Sequence, residues 1–260
     1  MKTFENKKIA ISGGGSGIGK ALIGELYRQG ARDFAVIGRN SDKLKALESE
    51  FPEGNFLFFS GDILRIDDIR EFAKAVESKW EDLDLLINNA GVVSAGPLEK
   101  IPDEDIINQI NINVTGLILL TKYLLPLLKK SPEAALLNVS SGLALIGMPF
   151  YGPYAATKGA VKLFSEVMRR ELKDFPIQVA TLYPTGTDTP MMKTANTGKL
   201  QSPEMVAQRA IEGLRNGDID IIFSNEEDVK LNREHPLEFD KKSASMYDAM
   251  AKRMATHRSM

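Results

Sequence analysis

Two hydrophobic rhythms alternate along the chain. Short runs rich in Val, Ile, Leu and Phe predict strands over Lys8–Ser12, Phe34–Gly38, Asn55–Ser60, Leu83–Asn88, Ala134–Ser140, Gln178–Tyr183 and Ile219–Phe223. Most have continuously apolar centres, the pattern of strands covered on both faces. Longer stretches with apolar positions three and four apart predict helices over Gly17–Arg28, Asp42–Glu50, Asp67–Trp80, Asp103–Lys130, Tyr154–Asp174 and Pro203–Asn216. Strand followed by helix, repeated, predicts an α/β fold: a Rossmann-type doubly wound parallel sheet of about seven strands, with helices on both faces and right-handed crossovers.

Composition narrows this picture mainly by exclusion. The 260 residues are 43% hydrophobic and 26% charged, a length that fits one large domain or two small ones. No repeat, low-complexity tract or Pro/Gly/Ser-rich linker interrupts the pattern, so residues 1–260 read as a single domain. Its tail, residues 224–260, is expected to be partly helical and to pack on the domain or on a partner subunit. The net charge of −2 gives no basic footprint for nucleic acid. Zero cysteines exclude a disulfide framework and thiolate metal sites, and with only His235 and His257 a His-rich zinc centre is excluded too. No metal is expected. No apolar run approaches the ~20 residues of a membrane span, and Met1–Lys8 is polar and charged. No membrane association and a cytoplasmic location follow as expectations.

Chemistry enters at the first strand-to-helix turn, Ser12-Gly13-Gly14-Gly15-Ser16-Gly17-Ile18-Gly19. Glycines let a backbone turn sharply and approach a pyrophosphate, and the helix that follows points free N–H groups at it. Glycine-rich stretches also make ordinary loops, so position carries the reading. After the second strand, Gly38 stands where an acid would select NAD by bonding the ribose hydroxyls. The Arg39 that follows suits a 2′-phosphate, or is simply a solvated arginine. Ser16 withholds a second basic residue from the glycine loop. NADP(H) is therefore the preferred cofactor, with NAD(H) the alternative.

Tyr154 and Lys158 lie four apart at the start of a helical pattern and share one face. An ammonium beside a phenol favours the phenolate and makes the pair a general acid/base. Chance alone supplies about half of one such spacing in a chain with 6 Tyr and 21 Lys. Ser141, at the end of the fifth strand thirteen residues upstream, adds a hydroxyl where parallel sheets form their ligand crevice.

The variant Gly13-x-x-x-Gly17-x-Gly19, the tetrapeptide Asn88-Asn89-Ala90-Gly91, and Asn113, Ser141, Tyr154 and Lys158 in this order resemble the short-chain dehydrogenase/reductase family, over roughly Asn6 to Pro190. The resemblance implies hydride transfer between a nicotinamide and a carbonyl or alcohol. Tyr154 would be the general acid/base and Lys158 would tune it and hold the nicotinamide ribose. Ser141 would position the substrate oxygen, and Asn113 would hold a water in a proton relay. It implies cofactor contacts from Gly13, Gly15, Ser16, Gly17, Ile18, Gly19, Arg39, Asp62, Ile63, Asn89, Ala90, Gly91, Tyr154, Lys158, Pro184 and Thr189, and a homodimer or homotetramer. Asp62, a lone acid after a strand, rests on the resemblance alone. Thr185 departs from the family's glycine after Pro184, which puts that loop's conformation in question, and the tail departs from its usual ending.

The loops flanking the reaction centre carry Met148 and Tyr151 on one side and Met191 and Met192 on the other, with no Arg or Lys between Ser141 and Thr157. They predict a small-molecule substrate, a mainly apolar ketone or secondary alcohol against adaptable methionines; packing on the core explains the same residues. Met246, Met250 and Met254, four apart in the tail, form one stripe that covers either the cleft, a partner, or its own domain. A nucleotide-sensing or scaffold protein that binds NADP without turnover is the alternative function.

Overall fold

The computed structural model describes every residue except Asn196, Thr197, Lys199, Ala255 and Thr256. Strands β1 (Lys8–Ser12), β2 (Asp33–Gly38), β3 (Asn55–Ser60) and β4 (Leu85–Asn88) alternate with helices α1 (Gly17–Arg28), α2 (Ser41–Glu50) and α3 (Ile66–Lys79). A two-residue strand β5 (Val93–Ser94) precedes α4 (Asp103–Ile110) and α5 (Leu117–Leu128), followed by β6 (Ala134–Val139), α6 (Gly152–Glu171), β7 (Ile177–Tyr183), α7 (Pro203–Asn216) and β8 (Asp220–Ile222). The tail forms α8 (Glu226–Glu234), α9 (Pro236–Ser243), α10 (Tyr247–Met254) and β9 (Arg258–Ser259).

Among the described residues, seven strands form one sheet in the order β3-β2-β1-β4-β6-β7-β8, all parallel. The chain leaves β1 toward one edge and returns at β4 to build toward the other, so the crevice opens at the C-terminal ends of β1 and β4. The continuous apolar runs are explained by two cores. Ile9 and Ile11 of β1 and Leu85 and Ile87 of β4 face α1, α2 and α7, through Leu22, Leu26, Leu44 and Leu214. Ala10 and Leu86 face the opposite core of α3, α5 and α6, through Phe72, Leu124 and Met168. Each strand alternates between two buried faces.

The single helix expected over Asp103–Lys130 is α4 and α5 joined by a π-helical turn, Asn111–Gly116. This run, Asp103–Leu128, is long and apolar enough in composition to cross a membrane, although charged and polar residues interrupt its apolar positions. Its inner side packs in the core through Leu120, Leu124 and Leu127, as a helix flanking a sheet does. The outer faces of α4 and α6 leave Ile107, Ile110, Leu163 and Val167 exposed. Helix α6 begins two residues before Tyr154, because Pro153 fits the first turn, where its missing N–H costs nothing.

Candidate active site

The glycine loop is shaped by contacts that leave no room for side chains. Gly13 and Gly17 have φ of +70° and +54°, the left-handed region. At Gly19 a Cβ would strike the carbonyl oxygen of Gly13. Asn89 fixes the loop by donating its Nδ2 hydrogens to the carbonyls of Ser12 and Gly13, both at 3.1 Å. The Ser12 hydroxyl in turn accepts from the backbone N–H of Asn89 and Ala90, each at 3.1 Å. Ser16 begins α1 with extended backbone, makes no side-chain cap, and is followed by a first turn without acidic residues. The leading N–H groups of α1 therefore remain available to an anion, and the cradle fits a dinucleotide pyrophosphate.

Gly13, Gly15, Ser16, Gly17, Ile18, Arg39, Asp62, Ile63, Asn89, Ala90, Gly91, Tyr154, Lys158, Pro184 and Thr189 all line one cavity of about 630 Å³. Gly19 lies behind the loop, where its role is close packing. One Asp62 carboxylate oxygen accepts from Leu64 N at 3.0 Å, so part of this side chain serves its own turn. Thr189 holds its methyl 3.1 Å from where a Gly17 Cβ would lie, which brings the segment after β7 onto the glycine loop. Thr185 needs no glycine: the only non-glycine residues with positive φ among those described are Asn6 and Phe150.

At the other end of the cavity stand Ser141, Tyr154 and Lys158. Lys158 is buried, 4% exposed, and donates from Nζ to the Val139 carbonyl at 2.9 Å. Its Nζ is 5.6 Å from the centroid of the Tyr154 ring. Loss of hydration pushes its pKa down from 10.5 to about 8, which still leaves it mainly an ammonium at neutral pH. The Ser141 Oγ caps the short turn that follows by accepting from Leu143 N at 3.2 Å, which leaves its hydrogen to be donated. Asn113 is 1% exposed and lies behind the cavity wall, in the π turn. Its Oδ1 accepts from Val92 N at 2.8 Å, and its Nδ2 donates to Val92 O at 3.0 Å and Thr157 Oγ1 at 3.1 Å. Thr157 donates to the Tyr154 carbonyl at 2.7 Å, so Asn113 acts on α6 through its neighbour.

A family model described as short chain dehydrogenase matches residues 7–200. The chain belongs to the short-chain dehydrogenase family. It is 35% identical over 205 residues to the uncharacterized oxidoreductase YusZ of Bacillus subtilis, covering 76% of this chain and 71% of that one. It is 29% identical over 251 residues to the 3-ketodihydrosphingosine reductase of Dictyostelium discoideum, covering 85% and 75%. The solved 3-ketoacyl-(acyl-carrier-protein) reductase of Brucella melitensis, complexed with NADH, superposes with a TM-score of 0.75 at 27% identity, over 84% of this chain and 98% of that one. This short-chain dehydrogenase is thus a nucleotide-binding oxidoreductase of the class acting on CH–OH and C=O groups.

In this short-chain dehydrogenase Met148, Tyr151, Met191 and Met192 all stand on the wall of the same cavity. Beyond these, one alternative left open for the tail stripe is met, and further residues not assigned to the site from the sequence reach the cavity. Met246 and Met250 line the same cavity, so two members of the tail stripe cover the cleft, while Met260 packs on the α3/α5 core. His257 and Ser259 also reach the wall. Lys43, in the first turn of α2, lies at the nucleotide end, its Cβ 3.3 Å from where a Gly15 side chain would begin. A basic residue one turn into the helix after β2 is the signal that could have found it.

Proposed function

We propose that this protein is an NADP(H)-preferring oxidoreductase that interconverts an apolar ketone and its secondary alcohol. The observation that carries the reading is the cationic, buried Lys158 beside the Tyr154 ring, opening on the same cavity as the glycine cradle. The bound dinucleotide supplies the hydride in reduction and receives it in oxidation. In the reductive direction Ser141 donates its hydrogen to the carbonyl oxygen and orients it. As that oxygen gains charge, the Tyr154 hydroxyl gives up its proton to it. The resulting phenolate is stabilised by the Lys158 ammonium, whose field is strong because burial keeps water from screening it. Asn113 is a positioning residue: it ties the turn at Val92 to Thr157, and Thr157 to the backbone of Tyr154 itself. In the oxidative direction the proton moves from the alcohol to the phenolate.

NADP(H) preference is supported by Arg39, Lys43 and the absence of an acid at Gly38. Among the described residues the Arg39 and Lys43 side chains take part in no ion pair, so both remain available to a 2′-phosphate. An apolar ketone is supported by the methionine-lined wall, and the names of the Dictyostelium and Brucella relatives both specify a 3-keto group.

The deciding experiment follows NADPH oxidation with a panel of ketones, wild type against Tyr154→Phe. Turnover by the wild type alone is expected. Equal rates would overturn the mechanism, and NADPH binding without turnover of any ketone would favour a nucleotide sensor.

A further inference from the structure

The last residues of the chain return to the centre of the molecule. Strand β9 pairs antiparallel with β5, Val93 opposite Ser259 and Ser94 opposite Arg258, directly after the Asn88–Gly91 turn. The Ala95 N–H donates to the His257 carbonyl at 3.1 Å. Arg258 grips the buried carboxylate of Asp105 with two hydrogen bonds, Nε to Oδ2 at 2.7 Å and Nη2 to Oδ1 at 2.8 Å, and Ser94 Oγ donates to Oδ2 at 2.8 Å. These bonds hold the Asp105 pKa below its ordinary value, so the anchor stays charged throughout the neutral range and is lost only as pH falls through that lowered value.

His257 is 3% exposed, and its ring joins two walls of the cavity. Nε2 lies 3.2 Å from the Met191 carbonyl, which can only accept, so Nε2 donates there. Nδ1 is hydrogen-bonded to the Tyr151 hydroxyl at 2.7 Å. Tyr151 is in turn delivered by a strained residue: Phe150 has φ of +72°, and its ring packs 5.0 Å from that of Tyr247, at the start of α10. The tail thus touches both substrate loops, and Met246 and Met250 face the cavity from it.

We propose that this C-terminal strap is a specificity-determining wall of the substrate site, with Met246 and Met250 setting the length of apolar chain accepted and His257 as the positioning residue that fixes Tyr151 and Met191 around it. The proposal rests on the apolar-ketone reading above. A ketone with a short chain lies near Tyr154 and Ser141; a longer one extends under Met250.

The test titrates butanone and 2-decanone into the NADPH complex of the Tyr154→Phe protein, which binds without turnover, and repeats the titration with Met250→Trp, His257→Phe and Arg258→Met added singly. Met250→Trp is expected to weaken 2-decanone about tenfold with little effect on butanone. His257→Phe keeps a ring against Tyr151 but removes both hydrogen bonds, and is expected to weaken 2-decanone about tenfold. Arg258→Met, whose side chain lies outside the cavity, is expected to weaken it about threefold by loosening the anchor. NADPH affinity, measured by its fluorescence, certifies that each variant is folded. Unchanged affinity for 2-decanone in both Met250→Trp and His257→Phe would overturn the strap while leaving the ketone reading intact. Failure of the parent complex to bind either ketone would overturn both.

Discussion

The nucleotide end and the substrate end of the cavity are built from different materials. The first is backbone: glycines with no room for a Cβ, carbonyls tied by Asn89, and the open start of α1. The second is side chains, several of them flexible methionines, delivered by two loops and a returning tail. A backbone site tolerates almost no change and recognises what all dinucleotides share. A methionine wall can be repacked without disturbing the sheet, so substrate choice can vary while the chemistry is kept.

Breaking the reaction centre between these ends has the largest expected effect. Tyr154→Phe removes the transferable proton, and turnover is expected to fall about 10³-fold with NADPH affinity retained, as read by single-turnover kinetics and fluorescence titration. At the nucleotide end, Gly19→Ala drives a methyl into the Gly13 carbonyl; a loss of about 3 kcal/mol in denaturant unfolding is expected. Gly147→Ala, in the loop on the substrate side where nothing lies within 4 Å, is the matching control, and equal losses would erase the contrast between the two ends. Arg39→Ala combined with Lys43→Ala is expected to lower the NADPH-to-NADH ratio of kcat/KM by about tenfold or more; an unchanged ratio assigns selectivity elsewhere.

One further substitution is diagnostic of the buried charge at the centre. Lys158 has a folded pKa of about 8 against 10.5, so below pH 8 the native state carries a buried charge that the unfolded chain would hydrate. That penalty is full at neutral pH and fades as pH rises from about 8 toward 10.5. Lys158→Met is therefore expected to inactivate the enzyme yet stabilise the nucleotide-free protein by about 2 kcal/mol at pH 7, a gain that disappears by about pH 10 in thermal melts.

The same division explains what could be read beforehand. The glycine loop, Asn88–Gly91 and the Tyr154/Lys158 pair are local patterns in which each residue sits close in sequence to the element that aims it. Strand runs were legible because both faces are buried, and the ends moved by one or two residues, as with β8, which keeps only Asp220–Ile222 of the expected Ile219–Phe223. The π turn was not legible, since the spacing of apolar residues in Asp103–Lys130 fits a plain helix. Nor was the strap: β5 and β9 are two residues each, and Asp105 and Arg258 meet across 153 positions. Nothing beside His257 in the chain announces Tyr151, which lies 106 positions away.

The π turn at Asn111–Gly116 has a consequence for how this protein can change over evolution. It holds one residue more than a plain helical ladder would use, and the wider turn absorbs that residue while α4 and α5 keep their phase. Deleting one of the six would tighten the turn to a plain helix, with α4 and α5 left in phase. Asn113 would be drawn from Val92 and Thr157, while Asp105 would still meet Arg258 and Ile107 and Ile110 would stay on the outer face. A deletion here acts on the support of the reaction centre alone, leaving the strap and the outer surface engaged. Single-residue deletions should therefore be absent from this turn among functional descendants, while substitutions on the outer face of α4, as at Ile107 and Ile110, accumulate freely.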